Sequence, residues 1–492
     1  MCYNIPQVKE AHKMREEELI SIVRKVQKRR TEFQNIELKS AETDFPKRIY
    51  DTLSSFSNQD DGGIILFGIS EKDNYSVVGV YSIENAQRKA MEACEQMEPK
   101  VRAVFTSAEI DGKYVLAAEI PPVEYWLRPV FYKGAGRLRG SYVRVGDADE
   151  PMSEYEVYSY ESFRRGTRDE LRTVTSCSIN LFEREQLERY LKAVKTERTK
   201  LAALPDSEIF ELMGITIDGT PTLASVLAFS KYPQTWFPQL SVTAVAVPGT
   251  HIGETSIDGA RFLDNKRITG SIPEMLEESV SFVIKNMRTK TIVDENGKRA
   301  DKFEYPIVAV REAVINALIH RDYSILTENT PVSIEMYRDR MEITSKGGLY
   351  GGGSVCQLGK GRPETRNPAL ANILELLKIT ENRYSGIPTI MKSFEDAGLP
   401  SPTFDVVHGI FKVIFRNGID IDADQIDKSD IFSAVILYCS VPRTREELTS
   451  FTGKSRYYTM SAIVQPLIEQ GKLAMTIPDK PKSVNQKYVS AV

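Results

Sequence analysis

Three polar side chains recur every four residues in the stretch EAVINALIHRDY, residues 312–323. On a helix, Glu312, Asn316 and His320 would drift by only about 40° per step, because four residues slightly exceed one 3.6-residue turn. They therefore form one stripe of groups that can engage a metal ion or a phosphate. The stretch is otherwise apolar, so a stripe that simply faces water is the competing interpretation.

A second group of reactive side chains lies in TEFQNIELKSAETD, residues 31–44. Glu32 and Glu37 are five residues apart, and the alternation in IELKS puts Glu37 and Lys39 on the same face of a short strand. Clustered carboxylates can hold a divalent cation that activates water against a phosphodiester. Composition alone favours the simpler alternative, a solvated strand with an ion pair.

The chain that positions these groups has 492 residues, of which 41% are hydrophobic and 27% are charged. A single core does not grow to that size, so about three domains are expected. No stretch approaches the roughly 20 apolar residues that cross a bilayer, and the N-terminal segment lacks the apolar core of a signal peptide. We therefore expect a cytoplasmic protein without membrane contact. The five cysteines show no CxxC pair, which argues against a disulfide framework and a zinc site.

Periodicity predicts the elements that carry these groups. A charged amphipathic helix runs from about Val8 to Arg30, GGIILFGI (62–69) is a buried strand, and residues 101–120 form a hairpin that turns at Asp111-Gly112. The glycines of GGIILFGI lack the Lys-Ser/Thr of a Walker loop, so tight turns explain them better. A charged helix at 183–198, strands in VSIEMYRDRMEITS and a helix in NPALANILELL follow.

The formal net charge of −4 hides local basic patches. Residues 1–30 hold eight Lys/Arg against four Asp/Glu, and residues 125–146 hold five basic residues and no acidic one. Within YKGAGRLRGSYVRVG, Arg137, Arg139 and Arg144 interleave with tyrosines, which suits phosphate contact together with base or sugar packing. Such patches bind phosphates even on an acidic protein. The alternative is a solvated, twisted hairpin.

The tail, residues 430–492, has the helix, helix, hairpin rhythm of a winged helix. Thr444 can cap a helix with Glu447 three residues later, and a second helix begins near residue 455 with a face suited to a major groove. Winged helices also dock proteins, which is the alternative. The tail residues expected to contact nucleic acid are Ser455, Arg456, Tyr457, Lys480 and Lys482.

The motifs ELKSAE, SSFSNQDDGGIILFGISEKDNYSVVGV and YVRVGDADEPMS resemble the Schlafen AlbA-type divergent domain over about residues 15–160. This resemblance implies a nucleic-acid-binding module, with Lys39 among its contacts. In nuclease members of the Schlafen family, two glutamates five apart and a later aspartate form the active site. Glu32 and Glu37 match the pair, and Asp73 or Glu71 would be the third member. Many prokaryotic chains with this domain are treated instead as regulators that bind DNA.

The stretches EAVINALIHRDY, DRMEITSKGGLYGG, RNPALANI, ENRYSGIPTIM and FEDAGLPSPTF resemble a divergent GHKL-type ATPase domain, in the expected order. The resemblance implies ATP with magnesium as cofactors, a water-positioning role for Glu312 and magnesium coordination by Asn316. Two loops would approach the nucleotide, although the first carries no adenine-reading acid and the second has Tyr384 in place of a glycine. Their candidate residues are Gly347, Gly348, Ser385 and Gly386.

Together these observations predict a multi-domain α+β protein. The expected domains are a Schlafen AlbA-type domain at 1–165, a mixed region at 170–420 with a GHKL-like α/β sandwich at its core (about 300–418), and a winged helix at 430–492. The leading interpretation is a DNA-binding transcriptional regulator whose partner is double-stranded DNA. A metal-dependent Schlafen-like nuclease acting in defence and a nucleotide-gated interaction scaffold are the alternatives. Assembly as a homo-oligomer is left open.

Overall fold

The computed structural model describes residues 14–491 except 257–258, 294–298, 353–354, 361–363, 381–384, 419–425, 427, 429, 440–441, 479, 482 and 484–485. The chain divides into two compact units, residues 1–167 with 351–354 and residues 168–350 with 355–492. Helices and strands mix in both, as expected for a multi-domain α+β protein. Among the described helices, none has the length and apolar character needed to span a membrane.

The first unit contains five helices and ten strands in its described part. Its helices are α1 (Glu16–Arg29), α2 (Tyr50–Asn58), α3 (Ile83–Glu95), α4 (Arg137–Gly140) and α5 (Glu154–Arg165). Its strands are β1 (Ile36–Lys39), β2 (Gly63–Phe67), β3 (Ile69–Ser70), β4 (Ser76–Val77), β5 (Met97–Glu98), β6 (Val104–Ile110), β7 (Lys113–Ile120), β8 (Phe131–Tyr132), β9 (Tyr142–Val145) and β10 (Ala148–Pro151). The start of the predicted first helix, from Val8, lies outside the described residues.

A four-stranded sheet of order β1-β2-β7-β6 is the centre of this unit. β1 runs parallel to β2, and the other neighbours are antiparallel. Successive residues point to opposite faces, so Ile65 and Phe67 join the core with α2 and α3, whereas Leu66 joins the core with α1. The predicted buried strand and the hairpin at Asp111-Gly112 are both confirmed.

The basic stretch 132–146 is not one continuous hairpin. Residues 137–140 form the short helix α4, and only β9 pairs antiparallel with the following β10. β9 packs against α2, and Arg144 is the buried residue of this strand. The change matters for function because the three arginines of the stretch lie in three different environments.

The second unit begins with helices and continues into a large sheet. Its helices are α6 (Arg184–Glu197), α7 (Asp206–Leu212), α8 (Leu223–Phe229), α9 (Ile272–Asn286), α10 (Ile307–Ile319), α11 (Pro368–Leu376), α12 (Gly386–Asp396), α13 (Ile431–Tyr438), α14 (Arg445–Thr452), α15 (Arg456–Tyr458) and α16 (Gln465–Glu469). Its strands are β11 (Thr216–Ile217), β12 (Thr220–Pro221), β13 (Val242–Ala246), β14 (Asp264–Ile268), β15 (Thr289–Val293), β16 (Arg299–Phe303), β17 (Val332–Met336), β18 (Arg340–Lys346), β19 (Thr403–Val407), β20 (Ile410–Arg416), β21 (Arg443–Thr444), β22 (Leu473–Met475) and β23 (Lys487–Ser490).

Six strands of this unit form one sheet of order β14-β13-β17-β18-β20-β19. β13 pairs with β17 in parallel, and the remaining neighbours are antiparallel. α9 packs against β13, α10 packs against β18, and α10 also contacts α9 and α12. The sheet therefore includes strands from residues 242–268, well before the predicted core of 300–418, because β13 lies between β14 and β17.

The tail places its elements in the order helix, strand, two helical segments, strand, strand. β21, β23 and β22 form a three-stranded sheet beside a separate small core. Thr444 and Glu447 form the expected capping box at the start of α14. Between α15 and α16 the helix continues through a π-helical turn at Thr459–Val464.

Candidate functional site

The predicted carboxylates of the first unit, Glu32 and Glu37, lie at β1, an edge strand of the central sheet. Glu32 precedes β1, and its Oε1 accepts a hydrogen bond from the backbone N–H of Leu38 at 2.7 Å. Glu37 and Lys39 lie on the same face of β1, where the Lys39 ammonium donates to the Glu37 carboxylate. The alternation predicted for this strand therefore brings an acid and a base together, as an ion pair with little solvent exposure.

Arg144, on β9, lies in the middle of these carboxylates. Its Nη1 is 2.9 Å from both Glu37 Oε2 and Asp149 Oδ1, and its Nη2 is 3.8 Å from Glu32 Oε2. The side chain of Arg144 is 1% exposed. The expectation that Arg144 is a surface contact for nucleic acid is therefore corrected, because its guanidinium neutralises buried carboxylates.

Asp149 completes this cluster from β10, and α2 holds it in place. The hydroxyls of Ser55 and Thr52 donate to its carboxylate at 2.5 and 2.7 Å. Both hydroxyls are buried and lie more than 90 residues away in the chain. Sequence reasoning missed all three residues. The available signal was a run of small hydroxyl residues on an otherwise apolar helix, which marks a polar group buried against it.

The carboxyl group of Glu32 has a raised pKa. Burial, with the neighbouring Glu37 carboxylate, raises the pKa of Glu32 to about 7, although the Leu38 N–H favours the charged form. Glu71 adds to the same rise, whereas Asp73 accepts a hydrogen bond from Ser70 Oγ at 2.6 Å. Of Glu71 and Asp73, the two candidates for the third acid, Glu71 is thus the one that interacts with Glu32. Within the described residues, no group of three or more His, Cys, Asp or Glu side chains is arranged to hold a metal ion.

The other predicted basic contacts of the first unit differ in exposure. Arg137 is half-buried and donates to the Glu161 carboxylate of α5. Arg139 is exposed on α4. Lys39 is engaged by Glu37, as described above. Of these side chains, Arg139 is the one that its position leaves available to a phosphate.

The polar stripe of the second unit lies on α10. Asn316 Nδ2 donates to Glu312 Oε1 at 3.1 Å, so the first two members of the stripe are in contact. His320 follows the last helical residue, and its backbone N–H donates to Asn316 O at 2.9 Å. Gly386, the first residue of α12, lies against this pair, because a Cβ at position 386 would collide with Glu312 and lie 2.9 Å from Asn316 Nδ2. The structure thus brings Glu312 and Asn316 together on one face of α10, whereas His320 lies just after the helix.

The backbone groups of the predicted phosphate-loop glycines already form hydrogen bonds within the protein. Gly347 has φ of +113°, and its N–H donates to Gly409 O at 2.8 Å. Any side chain there would meet the backbone of Asp322. The carbonyl of Gly348 accepts from Arg366 Nη2 at 3.3 Å. Both glycines therefore serve a close approach between loops.

The second predicted loop is described only in part. Ser385 occupies the N-cap position of α12, and its side chain makes no capping hydrogen bond. Tyr384 lies outside the described residues. Ser385 and Gly386 therefore deliver the first turn of α12 to the stripe on α10.

A buried polar network behind the stripe was not anticipated from the sequence. Arg366 Nη1 donates to Asp322 Oδ2 at 2.8 Å, and Asp322 Oδ1 accepts from the Ser324 backbone N–H at 2.7 Å. Asn367 Nδ2 donates to the carbonyls of Ile319 and Arg321 at 2.7 and 2.8 Å. These bonds hold the backbone that follows α10 in place. The polar residues after the helix therefore stabilise a turn.

The residues at this corner fit one part of a magnesium nucleotide. A carboxylate and an amide beside the first turn of a helix form the donor set that Mg²⁺ takes together with phosphate oxygens. Asn316 would hold the ion, Glu312 would position a water molecule, and the backbone of Gly386 would lie next to the phosphates. They do not supply an adenine-reading acid, since Asp322, which contacts Gly347, is already paired with Arg366.

The tail presents an aromatic and basic surface on its second helical segment. Ser455 is the N-cap of α15, and its Oγ accepts from the Tyr458 N–H at 3.3 Å. Tyr457 is 83% exposed and Tyr458 is 52% exposed. Arg456 is also exposed.

The predicted wing residues are described only in part. Lys480 is exposed, whereas Lys482 lies outside the described residues. Arg445 donates to the Tyr488 hydroxyl at 3.0 Å and to the Pro481 carbonyl. These bonds connect the start of α14 to the strand and loop that flank Lys480.

Two family models match this chain. The family described as "Schlafen, AlbA_2" matches residues 32–153, which include the carboxylates around Arg144. The family described as "Putative ATP-dependent DNA helicase recG C-terminal" matches residues 329–415, a range that contains Gly347 and Gly386 but begins after α10. No curated protein matches the chain.

Two of the solved structures that match this chain cover most of it and about a quarter of it, respectively. The crystal structure of the DIP2311 protein from Corynebacterium diphtheriae is 19% identical, covers 93% of this chain and 93% of that chain, and has a TM-score of 0.40. The solution structure of the N-terminal domain of a "Putative ATP-dependent DNA Helicase RecG-related Protein" from Nitrosomonas europaea is 25% identical, covers 28% of this chain and 93% of that chain, and has a TM-score of 0.23. The two family matches agree with the expected architecture, a Schlafen AlbA_2 domain followed by an ATPase-like domain of the RecG C-terminal type.

Proposed function

We propose that this protein is a DNA-binding transcriptional regulator with an ATPase-like domain that senses nucleotide. The name of one matched family associates its domain with a DNA helicase, and the two matched domains together support a nucleic-acid-associated protein. The observation that carries the proposal is the exposed pair Arg456 and Tyr457 on a short helix whose N-cap is Ser455. A regulator of this kind needs one surface that reads bases and others that hold phosphates.

The tail has the element order of a winged helix, and we assign it the base-reading role. In such folds the second helix enters the major groove and its N-terminal residues reach base edges. Arg456 can donate two hydrogen bonds to one guanine, and the exposed Tyr457 can pack on the groove wall. The Thr452 and Thr459 hydroxyls lie 2.7 Å apart and join the first helix to the second. Lys480 would follow the phosphates from the wing.

Sequence preference tests this assignment. We would compare one duplex from the promoter region of the protein's own gene with a scrambled duplex by fluorescence anisotropy. Arg456→Ala with Tyr457→Ala should reduce the preference about 10-fold or more, as expected for a lost base contact of about 1–3 kcal/mol. Lys472→Ala, which removes an exposed cation elsewhere in the tail, should leave the preference unchanged. Equal preference in all three proteins would assign the tail to protein docking.

The ATPase-like domain is proposed to bind magnesium-ATP at Glu312 and Asn316. Titration calorimetry of the full chain with magnesium-ATP should show heat that Asn316→Ala removes, because the variant loses an oxygen ligand of the metal. Lys392→Ala, on the exposed face of α12, serves as the control. Equal binding by wild type and Asn316→Ala would place the nucleotide elsewhere, and no binding by wild type would make the domain a scaffold.

A metal-dependent nuclease is the second candidate, and one observation favours it. Glu32 has a pKa of about 7 beside Glu37, and an acid with that pKa can accept and return a proton near neutral pH. Arg144 already neutralises Glu37 and Asp149, so the regulator remains our first choice. Labelled DNA and RNA with magnesium or manganese should stay intact. Cleavage that Glu37→Ala abolishes and Glu42→Ala preserves would establish the nuclease instead.

A further inference from the structure

The last two turns of α1 carry a cluster of cations on the side away from the core. Leu19, Val23 and Val26 form the buried face of the helix. We define the basic helix end as Lys25, Lys28, Arg29 and Arg30, which are all exposed. The cluster ends two residues before the matched Schlafen AlbA_2 region begins at residue 32.

An aromatic ring gathers two of these cations. Lys25 Nζ lies 5.2 Å and the Arg29 guanidinium 5.5 Å from the ring centre of Phe33. Both distances are within the range of a cation–π contact. Lys25 and Arg29 are four residues apart, and like charges at that spacing repel each other on a helix. Helix formation alone therefore does not favour this arrangement.

Arg30 occupies a backbone position that suits glycine. It ends α1 with φ of 52° and ψ of 47°, in the left-handed region, and its N–H donates to Val26 O. Glycine is the residue that adopts this conformation without strain from a Cβ atom. An arginine here costs stability, and what it adds is an exposed positive charge.

Within the described part of the chain, no carboxylate neutralises Lys25, Lys28 or Arg30. Arg24, one position before it, forms two hydrogen bonds with the Asp111 carboxylate at 2.7 and 3.0 Å. Lys25, Lys28 and Arg30 form no ion pair with any described residue. Basic residues in a last turn also complement the helix dipole, which accounts for Lys28 but not for the strained Arg30.

We propose that the basic helix end binds the phosphate backbone of duplex DNA, as the sequence-independent contact of the first unit. The three closely spaced cations Lys25, Lys28 and Arg30, beside a small aromatic platform, match a run of phosphates, which release condensed counterions when a cation replaces them. The cations of the basic helix end lie outside the matched family region, whereas Phe33 lies inside it. This inference rests on the proposed DNA-binding function and names a surface for it.

The salt dependence of binding tests the basic helix end. The full chain would carry Lys25→Gln, Lys28→Gln and Arg30→Gln, and a matched control would carry Arg88→Gln, Lys100→Gln and Arg102→Gln, three exposed cations elsewhere in the unit. Anisotropy with a scrambled duplex should show that the first triple variant lowers the slope of log Kd against log salt by about 0.9 per lost contact. The control should keep the wild-type slope.

Arg30→Gly separates binding from folding. Glycine relieves the left-handed backbone, so urea unfolding should show equal or greater stability while the salt slope still falls by about 0.9. A purely structural Arg30 would leave binding unchanged. Unaltered slopes in both the triple variant and Arg30→Gly, with wild type still bound, would overturn this inference alone. Failure of wild type to bind any nucleic acid would overturn the proposed function as well. The same titrations would be repeated with single-stranded RNA, and a slope that falls for RNA but not for the duplex would overturn the assignment to duplex DNA.

Discussion

Gly386 lies directly against the carboxylate of Glu312, so that a Cβ atom at position 386 would collide with Glu312 Oε1. The contact joins the first turn of α12 to the polar stripe of α10. Asn316, one turn after Glu312, touches both. The three residues therefore form one corner, and a side chain added at position 386 changes the environment of the other two.

Gly386→Ala is expected to destabilise the second unit. The added methyl group would collide with Glu312 Oε1 and approach Asn316 Nδ2. Because these atoms are the ends of flexible side chains that can shift, the cost should lie at the lower end of the range of about 1–3 kcal/mol typical of overpacking. Urea denaturation of the full chain would measure the change in the free energy of unfolding. Lys392→Ala, on the exposed side of the same helix, should change it by less than about 0.5 kcal/mol. A Gly386→Ala variant as stable as wild type would show that α10 and α12 do not meet in this way.

Arg144→Met should be one of the most destabilising substitutions in the first unit. It leaves Glu37 and Asp149, both largely buried, without their shared positive charge, and loss of one partner from a buried ion pair costs about 3–5 kcal/mol. Thermal or urea unfolding would measure the effect.

Arg139→Met is the matched control for that experiment, because Arg139 is exposed on α4. Its stability should stay within about 0.5 kcal/mol of wild type. If both methionine variants were equally stable, the buried cluster around Arg144 would be incorrect.

Stability should also depend on pH through Glu32. Its pKa is about 7 in the folded chain against an ordinary value of 4.5, so the folded state keeps a proton that the unfolded state loses first. The resulting stabilisation is present below about pH 4.5 and is lost as the pH rises to 7. The free energy of unfolding of wild type minus that of Glu32→Gln should therefore fall by up to about 3 kcal/mol across this window.

Glu170 provides an independent check of the same effect. It is fully buried in the second unit, and desolvation raises its pKa to about 7. Glu170→Gln should remove its share of the pH dependence, while Glu185→Gln, at an exposed position of the same unit, should remove little. Unfolding curves measured at pH 5 and pH 7.5 would decide, and parallel pH profiles for wild type and both buried variants would contradict these pKa shifts.

Local sequence patterns predicted the parts of the structure that depend on neighbours in the chain. The four-residue spacing of Glu312 and Asn316 gave one helical face, the alternation in β1 paired Glu37 with Lys39, and Asp111-Gly112 marked a tight hairpin. In each case the geometry follows from the period of a helix or strand, or from a turn that needs positive φ. Such features require no knowledge of distant residues.

Contacts between distant segments could not be predicted in the same way. Arg144 looked like a surface cation, and its burial depends on the packing of β9 against α2. Asp322 and Arg366 are 44 residues apart and pair only because the chain after α10 meets the segment before α11. The long separation between β13 and β17 likewise hid their parallel pairing. Sequence periodicity carries no record of which elements become neighbours.

The most direct test of the account is the affinity of the intact chain for a duplex of about 30 base pairs over a salt series. A DNA-binding protein of this kind should show saturable binding whose log Kd rises linearly with log salt, with a slope of about 0.9 for each neutralised phosphate. Removal of residues 430–492 should lower that slope and abolish any preference for a promoter duplex over a scrambled one. Absence of binding at low salt, or an affinity that does not change with salt, would contradict the assignment of this protein as a DNA-binding regulator.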